Sequence, residues 1–476
     1  MKRSGKQTFI LTLCGTSVAL AHAGEKPKTG KSNKTNIIYI LADDLGYGDL
    51  SCYGQTKFAT PNLDALAAQG LRFTNHYAGC TVSAPSRCSL MTGLHTGHAP
   101  VRGNNSVRID DEVYNTALPD KYKTVAECLK EQDYTTACIG KWGLGGPGTE
   151  GHPNNQGFDY FYGHLGQGHA HFYYPQFMFE NDKKITLNID PKEKKYYAED
   201  LFMEKATRFI TENKDQPFFL YLAVTIPHAE LIVPDDELDK FKGMYDEPTP
   251  WPSGQHYAGE FGGQPYPRAA FAAMITRLDG DVGRIRQLLE ELGIDRNTLL
   301  IFTSDNGPHK EGGADPEFFN SGGGLRGIKR DLYEGGIRVP MIAYWPEVIQ
   351  SGRTIDTPSA FWDVLPTFCE MTGAEIPESL DGISFLPELN GEKRKVSHDY
   401  FYWEFHENSS QAVRKGNWKA VRKNIKSDPT VELYDLSVDR GETNDIAVSH
   451  PDIVAELEEL MKISHTNDTQ WKFPEN

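Results

Sequence analysis

Residues 36–44 read "NIIYILADD", an unbroken apolar run closed by two aspartates. A run of this length, without polar alternation, reads as a strand buried on both faces. The same construction returns at 298–306, where "TLLIFTS" is closed by Asp305-Asn306. Other strand-like runs are "YTTACIG" (134–140), "FFLYLAV" (218–224) and "RVPMIAYW" (338–345). Helical patterns separate them at 61–70, 124–132 and 268–293, the last a long amphipathic segment stopped by Gly293. Strand–helix alternation predicts an α/β fold, a mostly parallel central sheet sandwiched by helices.

The pattern changes after about residue 360. "HDYFYWEFHE", "QAVRKGNWKAVRK" and "VELYDLS" are short and separated by turn signals, and 451–464 reads as a closing helix. They predict a smaller C-terminal antiparallel-sheet subdomain. The expected organisation is a signal segment at 1–23, a catalytic domain at 24–360 and the subdomain at 361–476. The Pro-, Gly- and aromatic-rich stretch 245–267 reads as a long ordered loop beside the site.

In an open parallel sheet, ligands collect beyond the carboxyl ends of the strands. Asp43-Asp44 and Asp305-Asn306 therefore fall on one edge. A single such pair is most simply a turn signal. Two of them after buried strands point to a shared hard cation, calcium or magnesium rather than zinc, since the donors are all oxygen. Between them lies "SAPSRCSLMTG" (83–93). Pro85 suits the first turn of a helix, which places Ser83 at a helix start where N–H groups attract anions, with Arg87 one turn on.

Formal net charge is −17, and loss of Lys2, Arg3 and Lys6 with the first 23 residues takes it to −20. Such a chain repels nucleic acid and anionic membrane at long range, so an anionic substrate needs positive charge built into the site. The first 23 residues have a basic front, an apolar centre and Ala21-His22-Ala23, the pattern of an export signal. No later run is long and apolar enough to span a bilayer. The expected location is periplasmic or secreted. Six cysteines follow the signal, in no zinc spacing, and export permits disulfides without fixing their pairs.

"SAPSRCSLMTG" resembles the signature of the type I, formylglycine-dependent sulfatases of the alkaline phosphatase superfamily. "ILADDLGYGDL", "PNLDALAAQGLRFTNHY", "GKWGLG", "IPHAEL", "FTSDNGPH" and "LRGIKRDLYEGGIRVP" extend the resemblance over nearly the whole mature chain. It implies a sulfuric ester hydrolase in which Ser83 is oxidised to formylglycine (3-oxoalanine) by a maturase, of the anaerobic radical type since the residue is serine. That type of maturase points to a bacterium. One hydroxyl of the aldehyde hydrate attacks sulfur and the other expels sulfate. By the same resemblance, one Ca2+ is held by Asp43, Asp44, Asp305, Asn306 and modified Ser83. Arg87 orients the hydrate, Lys141 and Lys329 contact sulfate, and His228 protonates the leaving alcohol. Taken singly, Lys329 also reads as a solvated loop charge and His228 as a packed histidine.

One departure stands out. The family reads Gly-Lys-Trp-His-Leu-Gly where this chain has "GKWGLG", so Gly143 replaces a histidine. His171, and after it His169, in "GQGHAHFYYP" are the nearest replacements in sequence; an extended "HAH" would aim both at one pocket. The resemblance implies a sulfated carbohydrate substrate, in a branch that removes 4-sulfate from galactose or N-acetylgalactosamine units. The alternatives are a formylglycine-dependent phosphonate or phosphate ester hydrolase, and a non-catalytic glycan-binding homologue.

Overall fold

A computed structural model describes Met1 and residues 34–473, apart from 111, 189, 191–193, 249 and 253–262. The expected signal segment after Met1, and residues 249 and 253–262 of the 245–267 loop, lie outside the described residues.

Five parallel strands form the centre of an eleven-stranded sheet. They are β1 (Asn36–Asp43), β2 (Thr135–Lys141), β3 (Tyr160–His164), β4 (Phe218–Pro227) and β5 (Thr298–Ser304). Their spatial order is β5-β1-β4-β2-β3, all parallel. Antiparallel strands extend both edges: Arg338–Tyr344 pairs with β5, and Phe177–Glu180 with β3. The run at 338–345 is thus a buried strand, but one that runs against its neighbour.

Alternation along β1 explains the layers. Ile38, Ile40 and Ala42 enter the core under the helices Pro61–Gln69, Ala198–Asn213 and Pro267–Glu291. Ile37, Tyr39 and Leu41 enter the opposite core, under Ser83–Thr92, Val125–Lys130 and Val364–Thr372. Every residue of β1 is buried, and each large apolar side chain of this kind contributes about 1.5–3 kcal/mol. The short helix Val125–Lys130 opens on a capping box between Thr124 and Glu127.

Four antiparallel strands (Phe401–Phe405, Ser410–Lys415, Trp418–Lys423 and Thr430–Asp435) form the second sheet, in sequence order. Trp403 and Phe405 pack with Tyr77, Cys80 and Val82, so this sheet buttresses the loop that leads into Ser83. Trp403 also donates its indole N–H to Ala78 O at 3.0 Å. The helix Pro451–Ser464 closes the outer face. All six described cysteines are free thiols. Among the described residues no helix is long and apolar enough to cross a membrane.

Candidate active site

The five parallel strands end together, and four of them deliver a sequence-predicted group at that edge. β1 ends at Asp43, β2 at Lys141, β4 just before His228, and β5 just before Asp305. Beyond β1 the chain turns at Asp44, whose φ of 64° is left-handed, a conformation aspartate tolerates. Two cross-links hold this turn to β5: Asp44 N donates to Asp305 Oδ1 (3.1 Å) and Leu45 N to Ser304 Oγ (2.9 Å). Gly140 sits at φ 111°, and a Cβ there would meet Ala223 O at 1.9 Å. Only glycine lets β2 approach β4 so closely just before Lys141.

Ser83 opens the helix Ser83–Thr92, all ten residues of which are buried, and Gly93 ends it in a left-handed conformation. Asn104 Oδ1 accepts from Ala84 N (3.1 Å) and caps the first turn. Ser83 Oγ donates to Asp43 Oδ1 (3.0 Å) and accepts from Lys141 Nζ (3.2 Å). Lys141 Nζ also donates to Asp43 Oδ2 at 2.5 Å. Arg87 reaches back as its spacing predicts. It donates to Asp305 Oδ2 from Nε (3.1 Å) and Nη2 (2.9 Å), and to Lys141 O from Nη1 (2.7 Å). Lys329 Nζ lies 2.8 Å from Asp44 Oδ2, 3.2 Å from His228 Nε2 and 3.3 Å from Glu311 Oε2.

All expected metal ligands are thus in one cluster. Asp43, Asp44, Asp305 and Asn306 are fully buried. Asn306 donates to Asp44 Oδ1 (2.7 Å), while its side-chain oxygen Oδ1 is buried with no hydrogen-bond partner among the described residues. An orphaned oxygen among three carboxylates is what a hard cation takes. Charge gives the same answer. Asp43, Asp44 and Asp305 are balanced by Arg87, Lys141 and Lys329, and Glu311 by Arg330, so the cluster holds no excess positive charge for an anion. One divalent cation would supply it.

The titration directions follow from this packing. Burial raises the Asp305 carboxyl and Asp43 beside it adds to this, against Arg87 and Lys141. For Asp43, burial is outweighed by Lys141, Arg87 and Lys329, and its carboxyl is held low. Burial, then Lys329 and Lys141, hold the His228 imidazole well below its ordinary range.

His169 and His171 do not share a face. Residues 169–171 form a 3-10 turn rather than an extended segment, closed by Phe172 N donating to His169 O (3.2 Å). A residue step in such a turn rotates side chains by about 120°, against 180° in a strand. His171 packs on His228 with ring centroids 4.3 Å apart and places Nδ1 2.9 Å from Ala229 O. His169 turns away, to His164. Gly143, at φ 78°, leaves room that Gln167 fills.

Sequence reasoning did not single out Glu311, Asn104 or His164. Glu311 stands six residues past Asp305 on the same loop and pairs with Lys329 and Arg330. Its only signal was that it closes the quoted "FTSDNGPH" segment at one remove.

The sulfatase family model matches residues 35–374, and a model for the C-terminal part of N-sulphoglucosamine sulphohydrolase matches 327–467. An N-acetylgalactosamine-6-O-sulfatase of Bacteroides thetaiotaomicron is 32% identical, over 95% of this chain and 96% of its own. Human arylsulfatase A is also 32% identical, over 92% and 89%. The crystal structure of Ps i-CgsB in complex with k-i-k-neocarrahexaose superposes with a TM-score of 0.76 at 30% identity, covering 93% of this chain and 95% of that one.

Proposed function

The chain belongs to the sulfatase family, as a type I member of the alkaline phosphatase superfamily and a sulfuric ester hydrolase, and we propose that it is an exported enzyme that removes sulfate from carbohydrate esters through residue 83. One observation carries the reading. Ser83 Oγ stands at a buried helix start, 3.0 Å from Asp43 and 3.2 Å from Lys141, inside a cluster that lacks only a cation to become anion-binding.

A serine hydroxyl is a weak nucleophile unless activated. Converted to formylglycine by a radical-type maturase, residue 83 supplies paired hydroxyls, one to attack sulfur and one to expel sulfate. Asp43, Asp44, Asp305 and Asn306 would hold one calcium, with residue 83 as a further ligand; the ion supplies charge neutralisation at the sulfate oxygens. Arg87 fixes Asp305 and the end of β2. Lys141 and Lys329 offer ammonium protons to the sulfate, and each is tethered by one aspartate. His228 faces the leaving oxygen as proton donor, with His171 packed against it. Its Nδ1 donates to Ala229 O (2.7 Å) and its Nε2 accepts from Lys329 Nζ (3.2 Å), so the proton His228 passes to the leaving oxygen is supplied by Lys329.

The substrate reading is galactose or N-acetylgalactosamine 4-sulfate units of a polysaccharide; its sugar draws support from the N-acetylgalactosamine-6-O-sulfatase among the relatives and from the neocarrahexaose-bound neighbour, and its 4-position rests on the sequence resemblance alone. Location in the periplasm or outside the cell draws support from the sequence of residues 1–23. Sulfate release from defined 4-sulfated and 6-sulfated sugars tests the substrate, with 4-sulfated galactose units expected to be fastest. His228 lies 3.5 Å from Asp44 Oδ2, a placement that also suits zinc and phosphate or phosphonate esters. Nitrophenyl phosphate hydrolysed faster than nitrophenyl sulfate would favour that second reading.

A further inference from the structure

Arg330 follows Lys329 directly, in "GIKRDLYEGG" (327–336). Its φ of 81° is left-handed. That conformation is strained for an arginine, and such strain persists only where the surroundings hold it. Here both backbone groups are held. Arg330 N donates to Thr81 O (3.1 Å), two residues before Ser83. Arg330 O accepts from Asn408 Nδ2 (2.5 Å), in the turn that follows the strand Phe401–Phe405. The loop into Ser83 and the second sheet thus fix where this side chain starts.

Glu311 fixes where it ends. Its Oε2 accepts from Lys329 Nζ (3.3 Å), and its Oε1 pairs with Arg330 Nη2 (2.7 Å). The two cations therefore stand at the two oxygens of one carboxylate. Exposure rises along this line: the side chain of Lys329 is 4% exposed, that of Glu311 14% and that of Arg330 43%. The line runs from the buried cluster, where Lys329 meets Asp44, out to solvent. Glu407, whose charge also reaches Arg330, accepts from Asn104 N at 2.6 Å.

A guanidinium carries five N–H donors in one rigid plane, so it can lie on Glu311 with one edge and hold a second oxyanion with another. On a chain of formal charge −17 a polyanion is repelled at long range, and it needs cations placed at the entrance to the site. We propose that Arg330 is a specificity-determining residue that binds an anionic group, a sulfate ester or a carboxylate, on the sugar unit adjoining the one that loses its sulfate. Lys329 meets the scissile sulfate, and Arg330, one carboxylate further out, meets the next unit. The strained backbone has a use in this arrangement. It sets the guanidinium in place before the substrate arrives, so less ordering is left to be done on binding. The inference rests on the reading of the site as a carbohydrate sulfatase, and narrows its substrates to those with a second anion beside the scissile ester.

The test uses full-length enzyme and three disaccharides that carry the same scissile sulfate. Their adjoining unit is neutral, carboxylated or sulfated. Wild type should favour an anionic disaccharide over the neutral one by ~10-fold or more in kcat/KM, the scale of one hydrogen bond to a charged group. Arg330→Gln should erase that ratio, mainly through KM. Arg330→Lys should restore part of it, since it returns the charge without the planar fork. Added salt should shrink the wild-type ratio. If Arg330→Gln does not fold, Arg330→Gly decides by the same ratio, because glycine takes a φ of 81° without strain. The carboxylated and sulfated arms show which anion is read. A wild type without the preference, or a preference that survives removal of the arginine, overturns the proposal. Equal cleavage of all three disaccharides sinks this inference alone. Release of sulfate from none of them, nor from nitrophenyl sulfate, sinks the reading beneath it.

Discussion

Arg87 and Asp305 form a fully buried ion pair in which Nε and Nη2 converge on one carboxylate oxygen, Oδ2. The other oxygen of Asp305 accepts from Asp44 N, so one arginine ties the helix Ser83–Thr92 to the ends of both β1 and β5. Its third contact, to Lys141 O, adds β2.

Arg87→Ala leaves Asp305 buried without its ion-pair partner, while Asp43 keeps Lys141. A loss of about 3–5 kcal/mol in unfolding free energy is expected, the range for one removed partner of a buried pair. Arg87→Lys keeps the charge but cannot place two donors on Oδ2 while reaching Lys141 O, and should recover only part of it. Denaturant unfolding of the three proteins checks the order.

Calcium should bind once per chain. Elemental analysis of active protein is expected to find one calcium and little zinc. Added calcium should raise the melting temperature of chelator-treated protein, by about 2.7 kcal/mol of stability at 100-fold excess over Kd. Asp305→Ala should abolish both the activity and this calcium response. Two zinc ions per chain would contradict the assignment.

Residue 83 in active protein should be lighter than serine by two hydrogens. Ser83→Ala should lose activity by at least ~10³-fold, on the scale of a lost covalent nucleophile. Full activity from an unmodified serine would rule the nucleophile out.

A second buried carboxylate predicts a pH dependence far from the site. Glu404 accepts from Tyr402 Oη (2.6 Å), Arg102 (3.1 Å), His406 Nε2 (2.8 Å) and His465 Nδ1 (2.8 Å). Burial alone would raise its carboxyl; the bonds from His406 and His465 and the charge of Arg102 outweigh burial and bring it from 4.5 to about 2. A group held below its unfolded value stabilises the fold above that value and loses the contribution as pH falls. The stability advantage of wild type over Glu404→Gln should therefore be full at pH 5, about 3 kcal/mol, and shrink toward pH 2. An advantage that stays constant across that window would refute the assignment.

Putting the family histidine back should not help. At φ 78° residue 143 is left-handed, and a Cβ there would meet Gln167 Nε2 at 2.8 Å. Gly143→His is expected to be less stable by about 1–2 kcal/mol from the backbone alone, with no gain in kcat. A faster enzyme would show that Gln167 yields and that the position is still open to catalysis.

Much of this was legible in the chain. "NIIYILADD" and "TLLIFTSDN" carried both the buried strands and the acidic edge, because apolar length and the residues that stop it are local signals. Ser83 and Arg87 were legible because their four-residue spacing is one helical turn. His164 was not. No motif marks it, and its place beside Lys141 is a matter of register between strands, 23 residues apart in sequence. The "HAH" segment was misjudged for a related reason: its composition does not decide between a strand and one turn of 3-10 helix, and in the fold Phe172 N closes the turn on His169 O.

The helix that begins at Ser83 has no exposed residue. A modifying enzyme has to draw several residues of peptide into its own cleft, and this peptide is sealed in the finished protein. The oxidation proposed for Ser83 must then come first in time, on a chain that has not yet folded. On that reading the protein is committed as an enzyme, or spoiled as one, before its fold closes, and no later repair of a missed serine is open to it without unfolding.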